Sequence, residues 1–116
     1  MKTLTTVAAL LMSLSAAPVA LADAGGSCHF HGNKPATETV VTDCGARRKA
    51  ALVKAGKLDP SWQAVALDKA ELVDGQKGQE WKLSFKNPAA PDTAKQTLYL
   101  FFSPTGNFIA ANHTGR

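Results

Sequence analysis

Four side chains near the front of this 116-residue chain could do chemistry together: Cys28, His29 and His31, crowded into four positions, and Cys44 after a further twelve residues. Two thiolates and two imidazoles form a complete tetrahedral set for zinc, and thiolates also suit Cu(I). The spacing C-H-x-H-x12-C matches no established zinc module. The same two sulfurs could instead join, and an even cysteine count in an exported chain normally means a disulfide. A Cys28–Cys44 bridge would close a loop of about 15 residues, worth about 3 kcal/mol in chain entropy.

In that case His29 and His31 remain as a two-ligand, exposed site. Two residues apart on an extended segment, they point the same way. Such a pair suffices for loose, exchangeable copper, zinc or nickel binding, but not for a closed structural site. The third histidine, His113, stands alone in Ala111-Asn112-His113-Thr114-Gly115 and reads as a surface or edge residue. Asp23-Ala24-Gly25 has no histidine in third place, so an amino-terminal copper chelate is not expected.

The expectation that the cysteines oxidise rests on the compartment. Lys2 precedes an apolar run from Leu4 to Leu21, broken by Ser13, Ser15 and Pro18, and Ala20-Leu21-Ala22 gives the small-x-small pattern of a cleavage site. Residues 1–22 therefore read as a cleaved secretory signal, too interrupted to span a bilayer well. The product is expected in the periplasm or outside the cell, with no membrane attachment after cleavage. The formal charge of +4 loses one unit with Lys2, and the largest basic block is Arg47-Arg48-Lys49. That block reads as a solvated helix face, and nucleic acid is not an expected partner for an exported protein.

Positioning the four residues falls to a single domain. Residues 23–36, rich in Gly, His and Asn with Phe30 as the one large apolar side chain, read as a flexible leader, and residues 37–116 as one α+β domain. A helix is expected after Thr37 as N-cap, with Val40, Val41, Cys44, Arg48, Ala51, Leu52 and Ala55 on its core stripe and Gly56 just past its end. Gly45 inside that helix costs about 1 kcal/mol relative to Ala. Asp59-Pro60-Ser61-Trp62 predicts one helical turn that delivers Trp62 to the core.

The period then falls to two. Strands are expected over Val65 to Val73, over Glu80 to Lys86 with Trp81, Leu83 and Phe85 inward, over Thr97 to Phe102, and over Phe108 to Asn112. The fold expected is one N-terminal helix packed on an antiparallel meander of three or four strands. The second face of the third strand, Tyr99 and Phe101, lacks an obvious cover and is a candidate interaction surface.

No glycine-rich phosphate loop, metalloprotease helix or nucleophile elbow is present, and the nine acidic residues are scattered through turns and helix ends. The chain is not expected to be an enzyme.

Several runs carry a resemblance: Gly56-Lys57-Leu58-Asp59-Pro60-Ser61-Trp62, Glu80-Trp81, Phe85-Lys86-Asn87, Lys95 through Phe102, and Gly106 through Asn112 with Thr114-Gly115. Together they resemble a family of small exported bacterial proteins of unknown function, over essentially the whole mature domain. Members of that family tend to carry a histidine-rich leader, which implies heavy-metal handling; here the leader is reduced to His29 and His31, with Cys28 added. The order of helix then meander is also similar to PepSY-type domains, which implies inhibition or protein binding. Two functions are thus expected as alternatives: transient transition-metal binding through His29 and His31, with Cys28 and Cys44 joined or contributing ligands, or a protein-interaction module.

Overall fold

The computed structural model describes residues 28–116; the expected signal segment and the first residues of the leader lie outside them. Helix α1 runs Glu38–Lys54, a 3-10 turn follows at Pro60–Ala64, and the strands are β1 (Leu67–Gly75), β2 (Gly78–Lys86), β3 (Thr97–Phe102) and β4 (Phe108–Asn112). They form one antiparallel sheet in the order β1-β2-β3-β4. The fold is α+β, with the helix before a four-stranded meander. Among the described residues no helix is long and apolar enough to cross a membrane.

The helix ends where its sequence says it should. The Thr37 hydroxyl accepts from the Val40 N–H at 3.2 Å, and Glu38 occupies the positive first turn. At the other end Gly56 takes φ +79°, its N–H donates to Val53 O, and the Lys57 N–H donates to Leu52 O. This is a Schellman closure, which needs a residue at ease with positive φ.

The buried arc of α1 is turned from the expected stripe. Val41, Cys44, Gly45 and Lys49 are buried, while Val40 and Ala55 are exposed. Gly45 explains the shift: a Cβ there would overlap the Leu83 side chain, so the helix comes closer to the sheet than a residue with a Cβ could come without displacing Leu83. The basic block is likewise not a uniformly solvated face. Arg47 is exposed and pairs with Asp43 at 3.0 Å, but the Arg48 guanidinium lies 4.0 Å over the Phe108 ring. Lys49 is buried, donating to Trp62 O at 2.6 Å and Gln63 O at 3.1 Å. Its ammonium caps two carbonyls at the end of the Pro60–Ala64 turn, of which Trp62 O also accepts from the Val65 N–H, and burial pushes its pKa down from 10.5.

Strand register places the core. Trp81 faces Phe102, Leu83 faces Leu100 and Phe85 faces Leu98, and these six pack with Val41, Cys44 and Trp62 in one cluster. Fully burying a side chain of this kind contributes about 1.5–3 kcal/mol. Trp62 is delivered as its flanking residues predict, with the Asp59 carboxylate accepting from the Ser61 N–H at 2.9 Å. Hydrogen bonding from the Ser61 side chain, and then from its backbone N–H, holds the Asp59 carboxyl below its ordinary range. The first strand begins two residues later than expected and the first hairpin is tighter. Gly75 pairs with Gly78, leaving Gln76-Lys77 as a two-residue turn, with Gly78 at φ +116° absorbing the reversal.

Candidate functional site

Residues 28–36 are held far more firmly than their composition suggests. Cys28 and Cys44 form a disulfide, with Cα atoms 5.8 Å apart, and Cys44 itself is buried on α1. Two residues on, the Phe30 N–H donates to Asn107 Oδ1 at 2.7 Å, while Asn107 Nδ2 donates to Phe30 O at 2.9 Å. One side-chain amide thus satisfies both backbone groups of one residue, as a neighbouring strand would. Further along, the Ala36 N–H donates to Pro104 O at 2.8 Å.

The β3–β4 turn is shaped to receive the leader. The Ser103 N–H donates to Asn107 O at 2.7 Å and the Asn107 N–H to Ser103 Oγ at 3.0 Å, which fixes the amide side chain toward Phe30. Gly106, at φ +104°, lies against the Phe30 ring, where an added Cβ would approach to 3.0 Å. Ser103-Pro104-Thr105-Gly106-Asn107 has the composition of a turn, but nothing local in it marks this second task. Asn107 finds its partner 77 residues away.

Between these fastenings stand His29 and His31, both exposed, with ring centres 4.8 Å apart and planes at 80°. The expected pair is therefore brought together on one side of the leader. Cys28 and Cys44 do not join them as thiolate ligands. Each sulfur is committed to the other, and a disulfide sulfur has no thiolate charge to offer a metal. The four-ligand set reduces to two imidazoles. Among the described residues no group of three or more His, Cys, Asp or Glu could hold a metal ion.

His113 is elsewhere and structural: its Nδ1 donates to Thr97 O at 2.8 Å, and its ring sits 6.1 Å from that of Trp62. On the outer sheet face Phe101 is 5% exposed and Tyr99 half-buried, so neither presents the open apolar surface expected of them. The C-terminal segment folds back there, and a Cβ on Gly115 would come within 3.3 Å of both the Tyr99 ring and the Lys82 ammonium. The exposed large apolar side chain on this end of the sheet is instead Ile109, beside an open groove of about 1060 Å³ floored by Phe101.

The sequence pattern of one known family matches the chain from residue 1 to residue 116. The chain belongs to a family of unknown function, DUF6488. No curated protein and no solved structure matches it. In this DUF6488 chain the runs that carried the resemblance fall where geometry is least forgiving. Gly56 to Trp62 is the helix exit and the turn that seats the tryptophan, and Gly106 to Asn112 is the leader-gripping turn with β4. The disulfide adds a fact about surroundings: such bonds form and persist in oxidising compartments.

Proposed function

We propose that this DUF6488 protein is a small exported, periplasmic protein that carries a divalent transition-metal ion transiently on His29 and His31 and performs no covalent chemistry. The observation that carries the reading is the 4.8 Å spacing of two exposed imidazoles on a backbone fastened at both sides. An ion about 2.0 Å from one nitrogen of each ring lies about 3.1 Å from each ring centre. Centres at the observed spacing then subtend about 100° at the ion, between the square-planar and tetrahedral angles. The rings stand edge to face, so both must turn to aim a nitrogen at a common ion, and both are exposed and free to do so. Two protein ligands leave the rest of the coordination sphere to water, which suits an ion that must be released.

The test is a titration of the disulfide-bonded protein with Cu(II), Zn(II) and Ni(II), followed by calorimetry and by NMR. Perturbed resonances should be confined to residues 28–31 and the 103–107 turn, and the double variant H29A/H31A should lose them. Binding no tighter than that of a lone surface histidine would remove the proposal. Cell fractionation tests the compartment.

A second reading, a partner-binding or inhibitor module, is favoured by one observation. Strand β4, a free edge, carries no charge and leaves Ile109 47% exposed, whereas the opposite edge β1 is guarded by Asp68, Lys69, Glu71 and Asp74. Capture of a periplasmic partner that Ile109→Lys abolishes, with metal uptake unchanged, would decide for it.

A further inference from the structure

We infer that His29 and His31 bind zinc between two copies of this chain, four imidazoles around one ion on a two-fold axis. The inference rests on the metal reading above and adds to it a partner, a second molecule of the same protein. Zn(II) takes four protein ligands in a closed site. Each chain supplies two, and among the described residues nothing stands ready to supply a third.

The seven residues His29 to Pro35 are all exposed, so no part of the described fold screens the pair from another molecule. The disulfide at Cys28 and the Asn107 clasp at Phe30 fix the backbone on which both rings are mounted. Each chain therefore offers two donors on an ordered backbone, and rings turned toward one ion at the observed spacing would subtend about 100°, close to tetrahedral. Two-fold symmetry makes one patch meet itself. With the ion on the axis, the second fork turns out of the plane of the first and fills the remaining vertices with the same ligand type.

Four Zn–N bonds form and the ion's waters leave; no other bond changes. Phe30, between the two ligands and 36% exposed, brings a little apolar surface from each copy to the contact. Lys34 brings a like charge from each, so the contact depends on the ion to hold it.

Sedimentation velocity on the disulfide-bonded protein, with Zn(II) titrated in, tests this. The mass should double, the change should be complete at one zinc per two chains, and EDTA should reverse it. H29A and H31A, both at exposed positions, should stay monomeric under the same zinc, while H113A should dimerise like the wild type. Asn107→Ala keeps both imidazoles but unlocks their backbone, and should require about fivefold to tenfold more zinc for the same dimer fraction. A saturable one-to-one complex that remains monomeric would overturn this inference and leave the metal reading standing. Absence of zinc uptake at any ratio would overturn both, and a zinc dimer that survives H29A would show the bridge to be elsewhere.

Discussion

Gly45→Ala offers a sharp test of how α1 meets the sheet, because two effects on one residue have opposite signs. By intrinsic propensity the change should stabilise the helix by about 1 kcal/mol. The structure opposes it: the new Cβ would fall on Leu83 Cδ2 and lie 3.8 Å from Phe85 Cζ. Leu83 is fully buried among the core residues, so its methyl can give way only by displacing close-packed neighbours. Overpacking of this sort costs about 1–3 kcal/mol. The net expectation is a loss of about 1 kcal/mol, a fall in Tm of about 4–8 °C for a domain of this size.

The decisive arm is the same substitution in a Leu83→Val background, which removes the obstructing methyl at a cost of about 1 kcal/mol. There Gly45→Ala should stabilise by about 1 kcal/mol, so its effect changes sign and the coupling between the two sites is about 2 kcal/mol. Urea unfolding of the four proteins with the disulfide intact supplies the cycle. If Gly45→Ala stabilises the wild-type background as much as the Leu83→Val one, the close helix–sheet contact does not exist as described.

Two further outcomes follow from the same geometry. Lys49→Met should cost about 1–2 kcal/mol at neutral pH, since charge-assisted hydrogen bonds to two carbonyls are lost. Because the folded pKa of Lys49 lies below 10.5, the unfolded chain binds more protons between that lowered value and 10.5. Protonation therefore favours the unfolded chain: the pH-dependent part of the residue's contribution is largest above 10.5 and falls away as pH drops through the folded value, so the wild type should gain stability relative to Lys49→Met as pH rises across that window. A difference between the two that is flat in pH up to 10.5 would mean that the ammonium is not desolvated. Reducing the disulfide, whose cysteines are 16 residues apart, should cost about 3 kcal/mol in urea unfolding. A loss below about 1 kcal/mol would mean that the bridge constrains little.

The parts of this fold that could be read from the chain are those whose physics is local. Alternation in Glu80 to Lys86 put Trp81, Leu83 and Phe85 inward, and Thr37 and Gly56 marked the helix limits; each depends on neighbours within about one turn of chain. The bounds of β3 and β4 were legible for the same reason. What escaped was set by distant partners. Lys49 looked solvated because a charge outweighs its four-carbon stem in any pattern, yet carbonyls 13 and 14 residues away made a buried place for it. Gly45 looked like a weak point in a helix, when Leu83 on another element required it. At the candidate site the ligand residues were visible by type, but the choice between bridge and thiolates stayed open until the fold set the two Cα atoms 5.8 Å apart and joined the sulfurs. The Asn107 clasp that orders their backbone had no local signature at all.

The two fastenings of the leader also differ in when they can be made. The sulfur bridge closes a short stretch of chain, and short closures come cheaply and early. The amide clasp joins residues 77 apart and needs the β3–β4 hairpin, a far longer closure. The bridge can therefore close while the imidazoles still wander, and they acquire a fixed spacing only when the β3–β4 turn seizes Phe30. The position of two rings near residue 30 is thus decided by a turn far along the sequence.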